Sequence, residues 1–283
     1  MLTNTFHHIP GIGAKSEQNL WQAGLTDWSC IHDIQGFKLS PKKKDMLRRH
    51  LEASIQRYED CDPSYFEQGL PSNLHWRFFP EFREHAAYLD IETDGCDVYN
   101  GQITTIALYD GTSIKWYVNG VNLESFRKDI GNYKVLITYN GKCFDIPFIE
   151  RFFGMNLPQA QIDLRYVLAA LGFKGGLKRC ETALDIDRGK LKGIDGALAP
   201  ILWEDYCRRH DEKILETLLA YNIEDVLNLE ILMVRAYNMN IRSTPFAVSR
   251  HIDEPDVPPI PFDADDTAIE NAKRRLNEFM SYW

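Results

Sequence analysis

The chain has 283 residues, 44% hydrophobic and 26% charged, and a formal net charge of −9. That size and apolar content match a soluble globular protein with one substantial domain plus appendages. The acidic total argues against a general nucleic-acid binder, which neutralises phosphates with Lys and Arg, so any such contact has to come from local basic patches. No apolar run approaches the eighteen or so residues of a membrane span, and "MLTNTFHHIPGIG" lacks the basic and apolar blocks of a signal peptide, so the expected location is the cytoplasm. Six cysteines stand singly without a C-x-x-C pair, which argues against a disulfide framework or a zinc ribbon.

In chain order, "HIPGIGAKSEQNLWQAGLTDW" (8–28) comes first: a hydrophobic-Pro-Gly-Ile-Gly turn, a helix, and Ala23-Gly24 at its end. It resembles a helix-hairpin-helix element. On that resemblance Gly11 and Gly13 let backbone amides approach a phosphate, and Lys15 adds charge. Too few residues precede the turn for a comfortable first helix, so a structural capping turn is the competing reading. His7 and His8 have no partner at metal-ligand spacing and are given no role.

Residues 40–60 predict a helix, with Ser40 as N-cap, Pro41 in the first turn, and Met46, Leu47, Leu51 and Ile55 on one side. A second helix is expected near 63–69. From Ala86 the pattern turns to strands, "AAYLDIE", "QITTIALYD" and "SIKWYVNG", joined by Gly- and Asn-containing turns as in an antiparallel meander. Helix "NLESFRKDIG", strand "KVLITYN", helix "PFIERFFG", the segment "QIDLRYVLAAL" and a helix ending in "EKILETLLAYNIEDVLNLEILMVRAY" follow. Three antiparallel strands followed by helix–strand units predict an α/β architecture: a mixed five-stranded sheet flanked by helices, as in the ribonuclease H-like fold. The expected division is a small helical region over 1–84, a ribonuclease H-like domain over 85–242, and a Pro-rich linker with a docking C-terminal helix over 243–283.

The chemistry concentrates in three segments. In "YLDIETDG" (88–95), alternation puts Ala87, Leu89 and Ile91 on one face and Asp90 with Glu92 on the other. Solvent, a basic partner or a bound cation has to offset the repulsion of the two carboxylates. In "TYNGKCFDIPF" (138–148), Asp145 stands at a helix edge after the Asn140–Gly141 turn, where an acid near the positive dipole end is also common. In "LLAYNIEDVLNLEIL", Tyr221 and Asp225 are four apart and share a helix face, although a core tyrosine would look the same.

Taken together, Asp-x-Glu on a strand, Asn-Gly-x-x-Phe-Asp after a later strand and Tyr-x-x-x-Asp on a later helix resemble the three motifs of the DEDD superfamily of 3′-to-5′ exonucleases, in its DEDDy branch. "LKRCETALDI" (177–186), "GIDGALAPILWEDY" (193–206) and "YNIEDVLNL" are similar to the YprB-type ribonuclease H-like domain, and the resemblance covers about residues 85–240. It implies that Asp90, Glu92, Asp145 and Asp225 hold two divalent ions, Mg²⁺ or Mn²⁺, which hard oxygen ligands suit. Tyr221 would orient the attacking water, and Asn140 would touch substrate or brace a ligand. Asp163 sits where several such enzymes carry an extra acid and is expected to brace the site from behind. Lys142, Lys174, Lys178, Arg179, Lys190 and Lys192 lie in or beside nearby loops. As a group they would track a DNA or RNA backbone, with Lys142 and Lys178 the expected contacts. An endonuclease with the same site, or a non-catalytic nucleic-acid-binding adaptor, are the alternatives; the retained carboxylates and tyrosine count against the adaptor.

Overall fold

The computed structural model describes residues 1–281 apart from Phe37, Gly193 and Asp195, with residues 33–36 described at the backbone alone. Two positions of the "GIDGALAPILWEDY" motif, Gly193 and Asp195, therefore lie outside the described residues, as do Tyr282 and Trp283 of the expected terminal helix.

The N-terminal part is helical: α1 (Ala14–Gln22), α2 (Pro41–Glu59), α3 (Pro63–Gly69) and the short α4 (Phe79–Phe82). Ser40 caps α2 by accepting the Lys43 amide at 3.3 Å, with Pro41 in the first turn, as the sequence predicts. Then come β1 (Ala86–Thr93), β2 (Ile103–Tyr109), β3 (Ile114–Val118), α5 (Phe126–Asp129), β4 (Val135–Thr138), α6 (Asp145–Phe153), β5 (Ala160–Asp163) and α7 (Leu164–Ala170). The chain continues with α8 (Leu177–Ala183), α9 (Ala199–Arg209), α10 (Glu212–Ile241) and α11 (Asp266–Met280). The expected helix over "NLESFRKDIG" shrinks to the single turn of α5 between 3₁₀ turns, because a ten-residue segment that ends in Gly131 favours propagation weakly.

The sheet has the order β3-β2-β1-β4-β5, with β1, β2 and β3 antiparallel and β4 and β5 parallel to β1. This is the expected mixed five-stranded sheet of the ribonuclease H-like fold. Strand alternation fills its two sides: Ala87, Leu89 and Ile91 pack with Ile146, Phe148 and Ile149 of α6, while Tyr88 faces the side covered by α10. Asp90 and Glu92 continue the Tyr88 face, so both carboxylates point towards α10. That helix has 30 residues, spans about 45 Å at 1.5 Å per residue, and is buried along most of its length.

The N-terminal helices share the α10-side core. Phe6, Ile9, Trp21, Leu47 and Phe66 belong to the same apolar cluster as Val226 and Tyr237. Buried Glu17 of α1 pins the first turn: it accepts the Phe6 and His7 amides at 2.7 and 3.0 Å and pairs with Arg77 at 2.8 Å. The Pro-rich segment lies against the body, with Phe262 packed edge-on to Trp116 at 5.0 Å, and α11 docks through Ala268, Ile269 and Ala272. Among the described residues no helix is long and apolar enough to cross a membrane.

Candidate active site

Three carboxylates converge where β1 passes under α10. Asp90, Glu92 and Asp225 each offer an oxygen, and these oxygens all lie within 4.8 Å of one another. Glu92 and Asp225 are buried and Asp90 is nearly so. The set comes from two local periodicities, every second residue of β1 and the helical phase that turns Asp225 towards the sheet. Asn222, one helical turn before Asp225, holds Asp90: its amide donates to Asp90 Oδ2 at 2.7 Å, and its Oδ1 accepts from Thr105 at 3.0 Å.

Asp145 opens α6 and is also buried. Its Oδ1 accepts the Ile91 amide at 3.2 Å, which docks the helix start on β1 between the two acids. It lies beside the cluster but is not among the three oxygens that approach within 4.8 Å. The turn before it needs its residue types: Asn140 has φ +67°, and a Cβ on Gly141 would fall 2.2 Å from Thr138 Oγ1. Asp163, fully buried, accepts the amides of Asn140, Lys142 and Arg165 at 2.7, 3.3 and 3.0 Å, so the extra acid clamps this turn.

The electrostatics are those of crowded acids. Burial, reinforced by Asp225 and the other carboxylates, pushes the Asp90 and Glu92 carboxyls well above the usual range. Burial raises Asp145 to about 7 against the backbone amides that favour its charged form. The Tyr221 hydroxyl is raised by burial and then by Asp225, Glu92 and Asp90, which keeps it protonated at neutral pH.

Two cations partly compensate. The Lys178 ammonium sits on Asp225 Oδ1 and 4.4 Å from the centre of the Tyr221 ring. Buried Arg188 contacts Asp225, Glu224 and Glu181, each at 2.7 Å, and lies 5.6 Å from the same ring. Arg188 and Asn222 are the residues that sequence reasoning missed. Arg188 opens the basic stretch "RGKLK" (188–192), in which nothing in the sequence separates it from solvated lysines such as Lys190 and Lys192; Asn222 follows Tyr221 inside the helix motif itself.

The other expected contacts lie elsewhere. The Lys142 ammonium is paired with Glu67 at 2.8 Å, and the Asn140 side chain accepts a bond from Arg165. Gly11, with φ +80°, and Gly13, the residue before α1, form an exposed turn with Lys15 exposed two residues later. A single 3₁₀ turn, Leu2–Asn4, precedes it.

A family model of the RNase H superfamily matches residues 87–237, from the strand that carries Asp90 through the helix that carries Asp225. The chain belongs to the RNase H superfamily. Its RNase H domain thus spans the sheet, the acidic triad and α10. Among solved structures, a family B DNA polymerase from the archaeon Pyrobaculum calidifontis is 14% identical, with a TM-score of 0.38 over 55% of this chain; the chain covers 29% of that polymerase. Brucella melitensis NrnC is 18% identical, with a TM-score of 0.30 over 58% of this chain and 89% of NrnC. NrnC bound to pGG gives 17% identity and a TM-score of 0.30, over 58% of this chain and 89% of that one. No curated protein matches the sequence.

The donor set of the RNase H domain fits a hard divalent cation. It is all carboxylate, the three oxygens are close enough to share one ion, and the repulsion between them is what such an ion would relieve.

Proposed function

We propose that the protein is a metal-dependent nuclease that removes nucleotides from the 3′ end of a DNA or RNA strand. The observation that carries this reading is the convergence of Asp90, Glu92 and Asp225 within 4.8 Å on an RNase H sheet. Asp145, docked on β1 beside them, completes a set of four acids for two divalent ions, Mg²⁺ or Mn²⁺. Such ions, when bound, supply a nucleophile at neutral pH and stabilise the leaving 3′-oxygen.

The chain's own groups do the rest. Asn222 fixes the rotamer of Asp90, and the Ile91 amide fixes Asp145. The protonated Tyr221 hydroxyl orients the attacking water, a role that asks for position rather than a shifted pKa. Arg188 and Lys178 hold Asp225 and flank the Tyr221 ring, so acid and tyrosine keep one relative placement. Gly11, Gly13 and Lys15 form a separate phosphate contact in the N-terminal turn, a role supported by its exposure and by the open space around both glycines.

The test is digestion of 5′-labelled single- and double-stranded DNA and RNA with Mg²⁺ or Mn²⁺, with Asp90→Ala as control. A ladder shortening by single nucleotides from the 3′ end is expected. Discrete internal cuts would establish an endonuclease instead, and binding without cleavage of any substrate would establish an adaptor.

A further inference from the structure

A cavity of about 560 Å³, joined to the acidic cluster by two short stretches of chain, is lined by Tyr139, Asn140, Arg165, Phe173, Lys174 and Gly176, among others. Its place is set by two chain connections to the cluster. Asn140 leads through the tight turn to Asp145, and the lining residue Leu177 precedes Lys178, which touches Asp225.

The walls define a ligand class. The volume is that of a small-molecule site. Tyr139 and Phe173 are half-buried rings, and every base has a face that stacks on an aromatic ring. Arg165 and Lys174 are exposed cations, and no acidic side chain lines the cavity. Neither cation has an ion-pair partner among the described residues, and the Arg165 guanidinium donates to the neutral Asn140 amide oxygen. The cations at the acidic cluster and in the Asn140 turn are committed internally: Lys142 to Glu67, Lys178 to Asp225, Arg188 to three acids. Gly175 lines the cavity at φ +105°, where a side chain would be strained and a Cβ would fall 2.9 Å from the Arg179 side chain.

We infer that this cavity binds one nucleotide unit, with its base against Tyr139 and Phe173 and its phosphate against Arg165 and Lys174. The inference rests on the reading that the substrate is a nucleic-acid strand. It moves phosphate recognition from the internally paired Lys142 and Lys178 to Arg165 and Lys174.

A strand and a free mononucleotide offer the same chemistry, so both are probed. Binding of fluorescein-labelled nine-nucleotide single strands, DNA and RNA, is measured in EDTA, where metal-dependent hydrolysis is silent, with AMP as competitor. Lys174→Glu reverses an exposed, unpaired charge, and Ala169→Phe fills the cavity from its lining. Each is expected to weaken strand binding at least tenfold while leaving the rise in Tm with Mn²⁺ unchanged. Displacement of the strand by AMP would show that the site reads a mononucleotide; strand binding that resists AMP yet falls in the variants would show that it reads a nucleotide only within a strand. Wild-type affinity in Lys174→Glu overturns the inference even if Ala169→Phe fails to fold, and so does a wild-type protein that binds neither strand. Variant-sensitive binding without hydrolysis in Mg²⁺ or Mn²⁺ would sink the nuclease reading and leave the cavity. Hydrolysis with variant-insensitive binding would do the reverse.

Discussion

Arg188 Nη2 lies 2.7 Å from Asp225 Oδ1, joining the loop after α8 to the acidic cluster across 37 positions of sequence. The same guanidinium reaches Glu181 and Glu224 and is almost wholly buried. Arg188→Ala would leave buried Glu181 and Glu224 without their shared cation and Asp225 with Lys178 alone, an arrangement that costs about 3–5 kcal/mol. A matching loss of stability by chemical denaturation is expected, together with a fall in nuclease activity. Arg188→Lys should recover stability in part, because one ammonium cannot reproduce the planar fork that spans three carboxylates. Denaturation midpoints of the two variants equal to wild type would refute the placement.

Divalent metal should stabilise the protein. An ion that binds the folded cluster and not the unfolded chain adds about 2.7 kcal/mol at a hundred times its Kd. The Tm should therefore rise with millimolar Mg²⁺ or Mn²⁺, and Asp225→Asn should shrink that rise. A thermal shift unaffected by either ion would count against a metal site.

Removing metal should expose a pH dependence of definite sign. The Asp145 carboxyl is pushed up to about 7 and the Glu224 carboxyl to about 8, each chiefly by burial, whereas unfolded carboxyls titrate near 4. The folded protein holds these protons more tightly, so their stabilising contribution is complete below about pH 4 and is lost as pH rises through the folded values. Each group contributes a slope of at most about 1.4 kcal/mol per pH unit inside that window. In EDTA the Tm should fall between pH 5 and 8, and Asp145→Asn should flatten the fall. A metal-free Tm that climbs over this range would reverse the sign and refute the assignment.

Tyr221→Phe separates chemistry from binding. The ring, and with it the contacts to Lys178 and Arg188, is kept, so stability should change little. Hydrolysis should drop roughly ten- to a thousand-fold, the scale of one positioned catalytic group, with strand and metal affinity nearly unchanged. Wild-type turnover in this variant would remove the hydroxyl from the mechanism.

The N-terminal turn is tested by the double variant Gly11→Val, Gly13→Val. Valine at φ +80° is strained and its branches block close approach to a phosphate. Weaker strand binding with the metal-induced Tm rise intact is expected, and equal affinity in the folded variant would reduce the turn to a helix cap.

What the sequence determined by itself is whatever one periodicity can encode. Alternation along β1 sent Asp90 and Glu92 away from Leu89 and Ile91, and the structure buries Leu89 and Ile91 against α6 and turns the acids to α10. The four-residue spacing kept Tyr221 and Asp225 on one helix face, and Ser40-Pro41 began α2 where the capping pattern says it should. These are interactions of residues a few positions apart, and their physics is local. The tertiary structure decided everything that closes over long separations. It put Arg188 on Asp225, set the Asp145 carboxylate on the Ile91 amide 54 positions away, and gave Asp90 the amide of Asn222 132 positions later. It also tied up Lys142 with Glu67 and left Lys174 without an ion-pair partner among the described residues, a distinction invisible in a count of basic residues. A buried charge is stabilised by the partner that folding brings to it, and that partner's identity is a property of the packed core rather than of any window of sequence.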